Sequence, residues 1–354
     1  MTAVGDFKIT RAEKSKLNSI SLENIPFGKY FTDHMLEVDY ENGEWQTTEI
    51  KPYMPLLFEP SLAALHYGQA IFEGIKAYKN QDGEAQLFRP FENLKRFNIS
   101  AERMEMPVIP EDIFIEGMKQ LIRLDADWIP NKPYHSLYVR PFMFSTDEMI
   151  GVKPSNKYKF MIILSPTGPY YNTPMRIYVE EKYVRAVKGG AGYAKNAGNY
   201  GAAMYPSAEA KRKGYDQVLW TDAFTHKYVQ ECGTMNIFFL IGNTAITPGL
   251  ESGTILAGVT RDSVIQLLKD LGFSVEERNL SIDEITEAYK AGTLKEIFGT
   301  GTAATISMIR ELCYQDLPMH FDVDTWSVAP KIKELMSGIK EGRIEDKYGW
   351  MVKV

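Results

Sequence analysis

A proline-rich connector near the middle of the chain is the feature that most constrains its fold. Residues 165–174, with sequence SPTGPYYNTP, place three prolines and a glycine between two strand-like runs. Proline removes a backbone donor and glycine permits tight turns, so this composition is typical of a connecting segment. The chain has 354 residues, which exceeds the usual size of a single hydrophobic core. We therefore predict two domains, residues 1–166 and 175–354, joined by an interdomain loop at residues 167–174.

The amino-terminal half combines strands with amphipathic helices. Pro90 begins a helical pattern, because proline suits the first turn of a helix and apolar residues then recur at helical spacing as far as Met104. A second helical pattern covers residues 111–128. Two runs rich in β-branched and aromatic residues, 135–144 and 157–165, predict strands.

The carboxy-terminal half reads mainly as strands interrupted by helices. Strands are predicted at residues 175–181, 216–221, 227–231 and 236–241, with a helix at about 200–213. The last three strands follow one another across short turns, which favours antiparallel pairing. Further on, a helix opens at Thr260, and Ser281 followed by Glu284 is a capping-box signature for another. Helices and strands in irregular order predict an α+β fold.

Composition excludes several classes of partner and site. The formal net charge is −6 and the basic residues are scattered, so nucleic acid is not an expected partner. The two cysteines, Cys232 and Cys313, have no paired spacing, which favours a reducing compartment. The chain shows neither a signal peptide nor an apolar stretch long enough to span a bilayer, so we predict a cytoplasmic protein without membrane contact. The histidines lie far apart, and no metal site is expected.

Three glycine-rich segments are candidates for anion binding, because glycine lets backbone N–H groups approach a ligand closely. They are residues 189–201, 257–260 and 299–303. None matches the P-loop pattern of nucleotide triphosphatases. The third satisfies Gly-x-Gly-x-x-Ala after a strand, which nominally resembles the fingerprint of a nicotinamide dehydrogenase. Only about 50 residues follow it, too few for the further βαβ units that such a fold needs.

The residues also provide what an enzyme that uses pyridoxal phosphate needs: a lysine for the Schiff base, an acid for the pyridine nitrogen and a cup of N–H donors for the phosphate. Lys195 stands among glycines in a stretch, residues 182–208, that contains no Asp or Glu. A nucleophilic lysine must not be paired with a carboxylate, so this local sequence is compatible with the role. An ordinary surface lysine has a similar local sequence.

Several blocks of sequence resemble the signature blocks of branched-chain amino-acid aminotransferases. The main ones are residues 195–201 (KNAGNYG), 231–236 (ECGTMN) and 298–303 (FGTGTA). Further matching blocks are residues 72–78 (FEGIKAY), 87–90 (LFRP), 137–141 (LYVRP) and 258–261 (GVTR). The similarity extends in the family's order from about Phe27 to Trp350. It implies the fold type IV architecture of pyridoxal phosphate enzymes, with a smaller amino-terminal α/β domain and a larger carboxy-terminal pseudo-barrel domain.

The resemblance also implies how pyridoxal 5′-phosphate is bound. Lys195 is the implied Schiff-base lysine, which also moves the proton during transamination. Glu231 is placed against the pyridine nitrogen, although a surface pair with Lys227 is the alternative reading of that residue. Tyr200 is placed on the ring hydroxyl. The implied phosphate ligands are Arg96, the backbone of Val259 and Thr260, and Thr300; alone, Thr260 reads equally well as an ordinary helix cap.

The substrate site is implied in the same way. Thr302 and Ala303 offer backbone N–H groups to the substrate α-carboxylate. The aromatic residues implied around the substrate side chain are Phe27, Tyr67, Phe72, Tyr138 and Tyr170. Without the resemblance, any one of them is more often a core residue. Arg140 and the tyrosine hydroxyls are implied to bind the distal carboxylate of glutamate or 2-oxoglutarate. Val152 is implied to enter the pocket from a second subunit, which predicts a homodimer.

The predicted reaction is transfer of the amino group of L-leucine, L-isoleucine or L-valine to 2-oxoglutarate, giving branched-chain 2-oxo acids and L-glutamate. Rivals of the same fold are a D-amino-acid aminotransferase and an aminodeoxychorismate lyase, and the stereochemistry of the consumed substrate distinguishes these. A dehydrogenase would bind NAD tightly and lack a yellow cofactor. A binding or scaffold protein would show neither tight NAD binding nor a yellow cofactor.

Overall fold

The computed structural model of the protein describes residues 7–22, 25–168, 173–315 and 317–354. These residues form two compact units. Unit 1 comprises the described residues of Met1–Tyr170 together with Ala194–Ala197 and Ser337–Val354, and unit 2 comprises those of Tyr171–Tyr193 and Gly198–Met336. Two segments of the carboxy-terminal half thus belong to unit 1. The division into linear domains at residues 167–174 stays a prediction.

The strands of the described residues, in chain order, are β1 (Phe7–Ile9), β2 (His34–Glu41), β3 (Glu44–Trp45), β4 (Thr48–Pro52), β5 (Ala70–Phe72), β6 (Ile75–Lys79), β7 (Ala85–Phe88), β8 (Ser136–Ser145), β9 (Tyr158–Thr167), β10 (Met175–Val179), β11 (Gln217–Thr221), β12 (Val229–Cys232), β13 (Asn236–Ile241), β14 (Thr244–Thr247), β15 (Ser274–Glu277), β16 (Leu294–Gly301), β17 (Thr305–Tyr314), β18 (Leu317–His320) and β19 (Met351–Lys353).

The α-helices are α1 (Ala63–Tyr67), α2 (Pro90–Arg103), α3 (Gly117–Leu124), α4 (Ala197–Ala202), α5 (Met204–Arg212), α6 (Val259–Asp270), α7 (Ile282–Lys290) and α8 (Val328–Lys340). A π-helical turn, Asp112–Glu116, precedes α3, and short 3₁₀ turns occur at Leu17–Ser19, Ala126–Trp128 and Val323–Thr325. Among these helices none is both long and apolar enough to cross a bilayer.

The sheet of unit 1 is almost entirely antiparallel. Its order is β1-β4-β2-β9-β8-β6-β7-β19, with β3 beside β2 and β5 beside β8. The predicted strands at residues 135–144 and 157–165 are confirmed as β8 and β9, which pair along their full lengths. Helix α2 begins at Pro90 as predicted and buries Leu94, Phe97 and Ala101. The Phe97 ring lies 5.6 Å from that of Phe160 on β9, so the helix packs on the sheet through its apolar face.

The sheet of unit 2 has the order β12-β11-β10-β17-β16-β13-β14-β15, with β18 beside β17. The predicted antiparallel pairing is confirmed for β11 and β12. The pairing of β10 with β11 and β17 is parallel. The α+β class predicted from the order of elements is confirmed.

The Gly-x-Gly-x-x-Ala segment forms a β-hairpin. Its glycines belong to β16, which pairs antiparallel with β17 in the register Gly299↔Ser307 and Gly301↔Thr305. A dinucleotide fingerprint requires a helix directly after the glycines, because the helix N-terminus binds the pyrophosphate. The dehydrogenase reading of this segment is therefore wrong.

Candidate active site

Lys195 is attached to unit 1 through its backbone. The backbone N–H of Phe72, at the end of β5, donates to the Lys195 carbonyl (3.1 Å). The Lys195 backbone N–H donates to Ser100 Oγ on α2 (2.9 Å), and Asn196 forms a β-bridge with Ile71. These bonds hold the lysine against β5 and α2, and its side-chain amine lies 4.9 Å from the centroid of the Phe72 ring.

The Phe72 ring also contacts a second cation, Arg140. The Arg140 guanidinium lies 4.6 Å from the Phe72 centroid and 5.3 Å from that of Tyr138, and its Nη2 donates to the Tyr138 hydroxyl (2.8 Å). Phe27 packs edge-on against Tyr138 at 4.8 Å. Four of the predicted substrate residues and the predicted catalytic lysine therefore form one cluster in unit 1. The cluster combines aromatic surface with a cation, which suits a substrate with an apolar or a carboxylate side chain.

Arg96, the predicted phosphate ligand, is held by a buried carboxylate. Glu73 accepts from Arg96 Nε (2.7 Å) and Nη2 (2.8 Å), and also from the Asn93 side-chain amide (2.8 Å). Burial disfavours the charged form of Glu73, but the Arg96 guanidinium, assisted by Lys195 and Asn93, outweighs it and holds the pKa of Glu73 below its usual value. This two-point contact fixes the plane of the guanidinium.

Glu231 lies on β12 of unit 2 and is almost fully buried, with 2% exposure. Its Oε2 is 2.9 Å from Arg185 Nε, and its Oε1 accepts from the Leu256 backbone N–H (2.7 Å). The alternative reading, a surface pair with Lys227, is wrong because the carboxylate is buried and paired with an arginine. A buried carboxylate with these donors is stabilised in its charged form.

The amino terminus of α6 lies beside Asn236 on β13. The Asn236 amide donates to the Leu256 carbonyl (2.9 Å), and a Cβ added to Gly258, the residue before α6, would collide with Asn236 Oδ1. Asn236 is the register partner of Thr300 on β16. The Thr300 hydroxyl is buried and has no hydrogen-bond partner among the described residues. Val259 and Thr260 form the first turn of α6, whose N–H groups have no intrahelical acceptors.

The other predicted site residues occupy more exposed positions. In unit 2, Tyr200 is part of α4, and Thr302 and Ala303 form the turn between β16 and β17. In unit 1, Tyr67 ends α1 with 40% of its surface exposed, and Val152 is 89% exposed. Tyr170 lies outside the described residues.

The donors in unit 2 fit the pyridoxal phosphate that the sequence motifs imply. The first-turn N–H groups of α6 and the unpartnered Thr300 hydroxyl are donors suited to a phosphate, and the helix dipole favours an anion there. Glu231 is linked to the same region because Leu256, its N–H donor, lies two residues before Gly258. A buried carboxylate and donors suited to a phosphate therefore occur together in this unit.

Two residues that bind predicted site residues were not assigned a role from the sequence. Glu73 lies within the matched FEGIKAY block, and Arg185 lies in the acid-free stretch before Lys195. The available signal was indirect: a buried acid such as Glu231 needs a cationic partner, but local sequence does not indicate which of the cations supplies it.

Comparison with known proteins agrees with this geometry. Residues 70–312 match the family model of class IV amino-transferases. The chain is 49% identical over 337 residues to a probable branched-chain-amino-acid aminotransferase of Staphylococcus epidermidis, covering 94% of each chain. It is similar to the crystal structure of the branched-chain amino acid aminotransferase of Escherichia coli, with a TM-score of 0.75, 28% identity, and coverage of 91% of this chain and 99% of that one.

A second similar structure is that of the T.th. branched-chain amino acid aminotransferase complexed with N-(5′-phosphopyridoxyl)-L-glutamate. It has a TM-score of 0.72 and 28% identity, and covers 89% of this chain and 98% of that one. The family model alone spans more than half of the chain, and the curated relative covers nearly all of it. The fold is therefore that of the fold type IV enzymes, and the chain belongs to the branched-chain-amino-acid aminotransferases of class IV.

Proposed function

We propose that the protein transfers the amino group of L-leucine, L-isoleucine or L-valine to 2-oxoglutarate, giving branched-chain 2-oxo acids and L-glutamate. The observation that carries this proposal is that the Phe72 ring contacts both the Lys195 amine and the Arg140 guanidinium. The group that performs the chemistry thus lies beside an aromatic surface for a branched side chain. The same surface carries a cation for the distal carboxylate of glutamate.

The cofactor is pyridoxal 5′-phosphate, which when bound supplies an electron sink for the pair released as the substrate Cα–H bond breaks. Lys195 would hold the cofactor covalently through Nζ, and the same amine, once displaced by the amine of the substrate, would accept and return the proton moved during transamination. Glu231 would keep the ring nitrogen protonated, and Tyr200 would donate to the ring hydroxyl. Arg96, Thr300 and the first-turn N–H groups of Val259 and Thr260 would bind the phosphate.

The substrate is held at both ends. The backbone N–H groups of Thr302 and Ala303 bind the α-carboxylate that every substrate shares. The aromatic residues enclose the side chain, and they are Phe27, Tyr67, Phe72, Tyr138 and Tyr170. Arg140 and the Tyr138 hydroxyl bind the distal carboxylate in the second half-reaction, so that one pocket serves both apolar and acidic substrates.

The functional unit is a homodimer in which Val152 reaches the partner's pocket. Exposed apolar residues on two neighbouring segments of unit 1 support this proposal: Leu57 and Leu65 are 98% and 72% exposed, and Ile150 and Val152 are 72% and 89% exposed. The segments are joined where the Ala63 backbone N–H donates to the Asp147 carbonyl (2.8 Å). Strongly exposed apolar residues on neighbouring segments are typical of an interaction site.

Replacing Lys195 tests the proposal directly. We expect Lys195→Ala to abolish both the covalent attachment of the cofactor, followed through its visible absorbance, and the transamination of L-leucine, because it removes the amine that lies on the Phe72 ring. The exposed Lys188, in the same acid-free stretch, is the matched control, and Lys188→Ala should retain both. Transamination by Lys195→Ala at the wild-type rate would refute the assignment. Consumption of D-leucine in preference to L-leucine would instead favour a D-amino-acid aminotransferase.

A further inference from the structure

Arg185 connects three segments of unit 2, and its side chain is only 7% exposed. Its Nη1 donates to the Thr254 carbonyl (2.7 Å) and its Nη2 to the Gly192 carbonyl (3.1 Å). Its Nε lies 2.9 Å from Glu231 Oε2. Each of its three nitrogens therefore has a separate acceptor, and the position of the guanidinium is fixed independently of Glu231.

The segments that Arg185 joins lead to the residues proposed to bind the cofactor. Thr254 lies two residues before Leu256, whose backbone N–H donates to the other oxygen of Glu231 (2.7 Å). One oxygen of the Glu231 carboxylate is thus bound by the backbone of this loop, and the other by Arg185, which also donates to the loop at Thr254. The loop then continues to Gly258 and α6. Gly192 precedes Lys195 by three residues in the chain.

Packing around the arginine requires a glycine. A Cβ added to Gly192 would lie 2.7 Å from the Thr254 carbonyl oxygen and 2.6 Å from the Ala186 Cβ. The two backbones that Arg185 binds are therefore in direct contact, and the guanidinium joins them without space for rearrangement.

We propose that Arg185 is a positioning residue that keeps the Glu231 carboxylate charged and in a single orientation for the ring nitrogen of the cofactor. This inference rests on the role proposed for Glu231. Without the arginine, Glu231 is a buried acid that has lost its counter-charge, and such an acid takes up a proton. A neutral Glu231 no longer stabilises the protonated ring nitrogen, so proton abstraction from the substrate slows even though the lysine is intact.

The test uses four variants of the full chain: Arg185→Met, Arg185→Lys, Glu231→Gln and Arg176→Met. Arg176 is the matched control, because it also binds one carboxylate (Glu311, 2.8 Å) and one carbonyl (Gly214, 3.0 Å) in unit 2. Three quantities are measured: the pH midpoint of the cofactor's visible absorbance, the dissociation constant of pyridoxal phosphate from the apoprotein, and kcat and KM for L-leucine.

For Arg185→Met we expect the same direction of change in the absorbance midpoint as for Glu231→Gln, and weaker cofactor binding. By analogy with outer-shell partners of metal ligands, kcat should fall about 10- to 100-fold, with KM changed less than about threefold. Arg185→Lys should recover part of the loss, because an ammonium can still pair with Glu231. Arg176→Met should lower thermal stability and leave the absorbance midpoint unchanged.

The outcomes separate this inference from the proposed function. If Glu231→Gln leaves the absorbance midpoint at the wild-type value, the role proposed for Glu231 is wrong. If Glu231→Gln moves the midpoint and neither Arg185 variant does, Glu231 keeps its role and the positioning role of Arg185 is overturned. If Arg185→Met does not fold, the absorbance midpoint of Arg185→Lys is used instead. A shift toward the Glu231→Gln value supports the positioning role, and a wild-type value overturns it.

Discussion

Two buried carboxylates, Glu73 and Glu231, accompany the residues proposed for cofactor binding, and each is bound to an arginine. Glu73 receives two N–H groups from Arg96, and Glu231 receives one from Arg185 and one from a backbone amide. Breaking a buried pair by removing one partner typically costs about 3–5 kcal/mol, because a charge is left without compensation. Removing either arginine is therefore expected to destabilise the fold as well as to disturb the proposed site.

At the residue scale, Asp222 determines how the turn between β11 and β12 responds to acid. Its carboxylate accepts from the backbone N–H groups of Thr225 (2.8 Å), Lys227 (2.9 Å) and Tyr228 (2.9 Å). Burial raises the pKa of Asp222, but these hydrogen bonds outweigh it and lower the pKa to about 2. Because the folded-state pKa lies below the unfolded value of about 3.9, the stabilisation is present above pH 4 and is lost as the pH falls toward 2.

We expect Asp222→Asn to lower the free energy of unfolding at pH 7 by about 1 kcal/mol, since solvent screens a partly exposed carboxylate. The difference from wild type should shrink as the pH falls from 4 toward 2. Urea unfolding at a series of pH values measures both effects. Asp127→Asn, at an exposed carboxylate, is the control. A difference that grows on acidification would contradict this explanation.

At the scale of elements, two helices whose amino termini lie in unit 2, α7 and α8, begin with different kinds of cap. Ser281 caps α7 locally, because its Oγ accepts from the Glu284 backbone N–H (3.1 Å), as the capping-box signature predicted. The amino terminus of α8 is bound by Glu296 on β16, which accepts from the backbone N–H groups of Ser327 (2.9 Å), Val328 (2.8 Å) and Ala329 (2.6 Å). One buried carboxylate thus joins a strand to a helix and complements the helix dipole.

Replacing each cap compares the two arrangements. Glu296→Ala should destabilise the protein by about 2–4 kcal/mol, because it leaves three N–H groups without their acceptor in a buried place. Ser281→Ala should cost only about 1 kcal/mol, as expected for a solvent-accessible cap. Thermal unfolding of the two variants measured in parallel provides the comparison, and equal losses would show that Glu296 contributes no more than a local cap.

At the scale of the whole molecule, residues with proposed roles occur in each of the two units. Lys195 and Arg96 belong to unit 1, whereas Glu231, Thr260 and Thr300 belong to unit 2. The segment Ala194–Ala197 is the shortest part of either unit, and it contains Lys195, the lysine proposed to hold the cofactor. Its backbone bonds to Phe72 and Ser100 explain why it clusters with unit 1 although its neighbours in sequence do not.

The proposed dimer predicts the effect of charge on the exposed apolar surface. An aspartate at Leu57 or Ile150 has to be desolvated in an interface, so Leu57→Asp and Ile150→Asp should shift the protein from dimer to monomer. Sedimentation velocity measures the assembly state. Phe224→Asp is the control, because Phe224 is also strongly exposed, at 79%, but lies in unit 2. If all three variants sediment as wild type does, this surface is not the interface.

Sequence motifs alone predicted the family, and the comparisons confirmed it. Local patterns also predicted most elements, because helix spacing, the initial Pro90 and the Ser281 cap involve residues within a few positions of one another. The glycines at residues 299–303 were the informative exception. The strand before them was predicted, but only pairing with β17 distinguishes a hairpin from a dinucleotide-binding turn.

Only the tertiary structure determined which residues that lie far apart along the chain interact with each other. Arg185 meets Glu231, Glu73 meets Arg96, and Glu296 caps α8, and none of these pairs lies within one local window of sequence. Which cation a buried acid meets depends on strand register and on which loops pack together. Short-range patterns determine the type of each element, whereas the need to compensate a buried charge is met only after the elements have assembled.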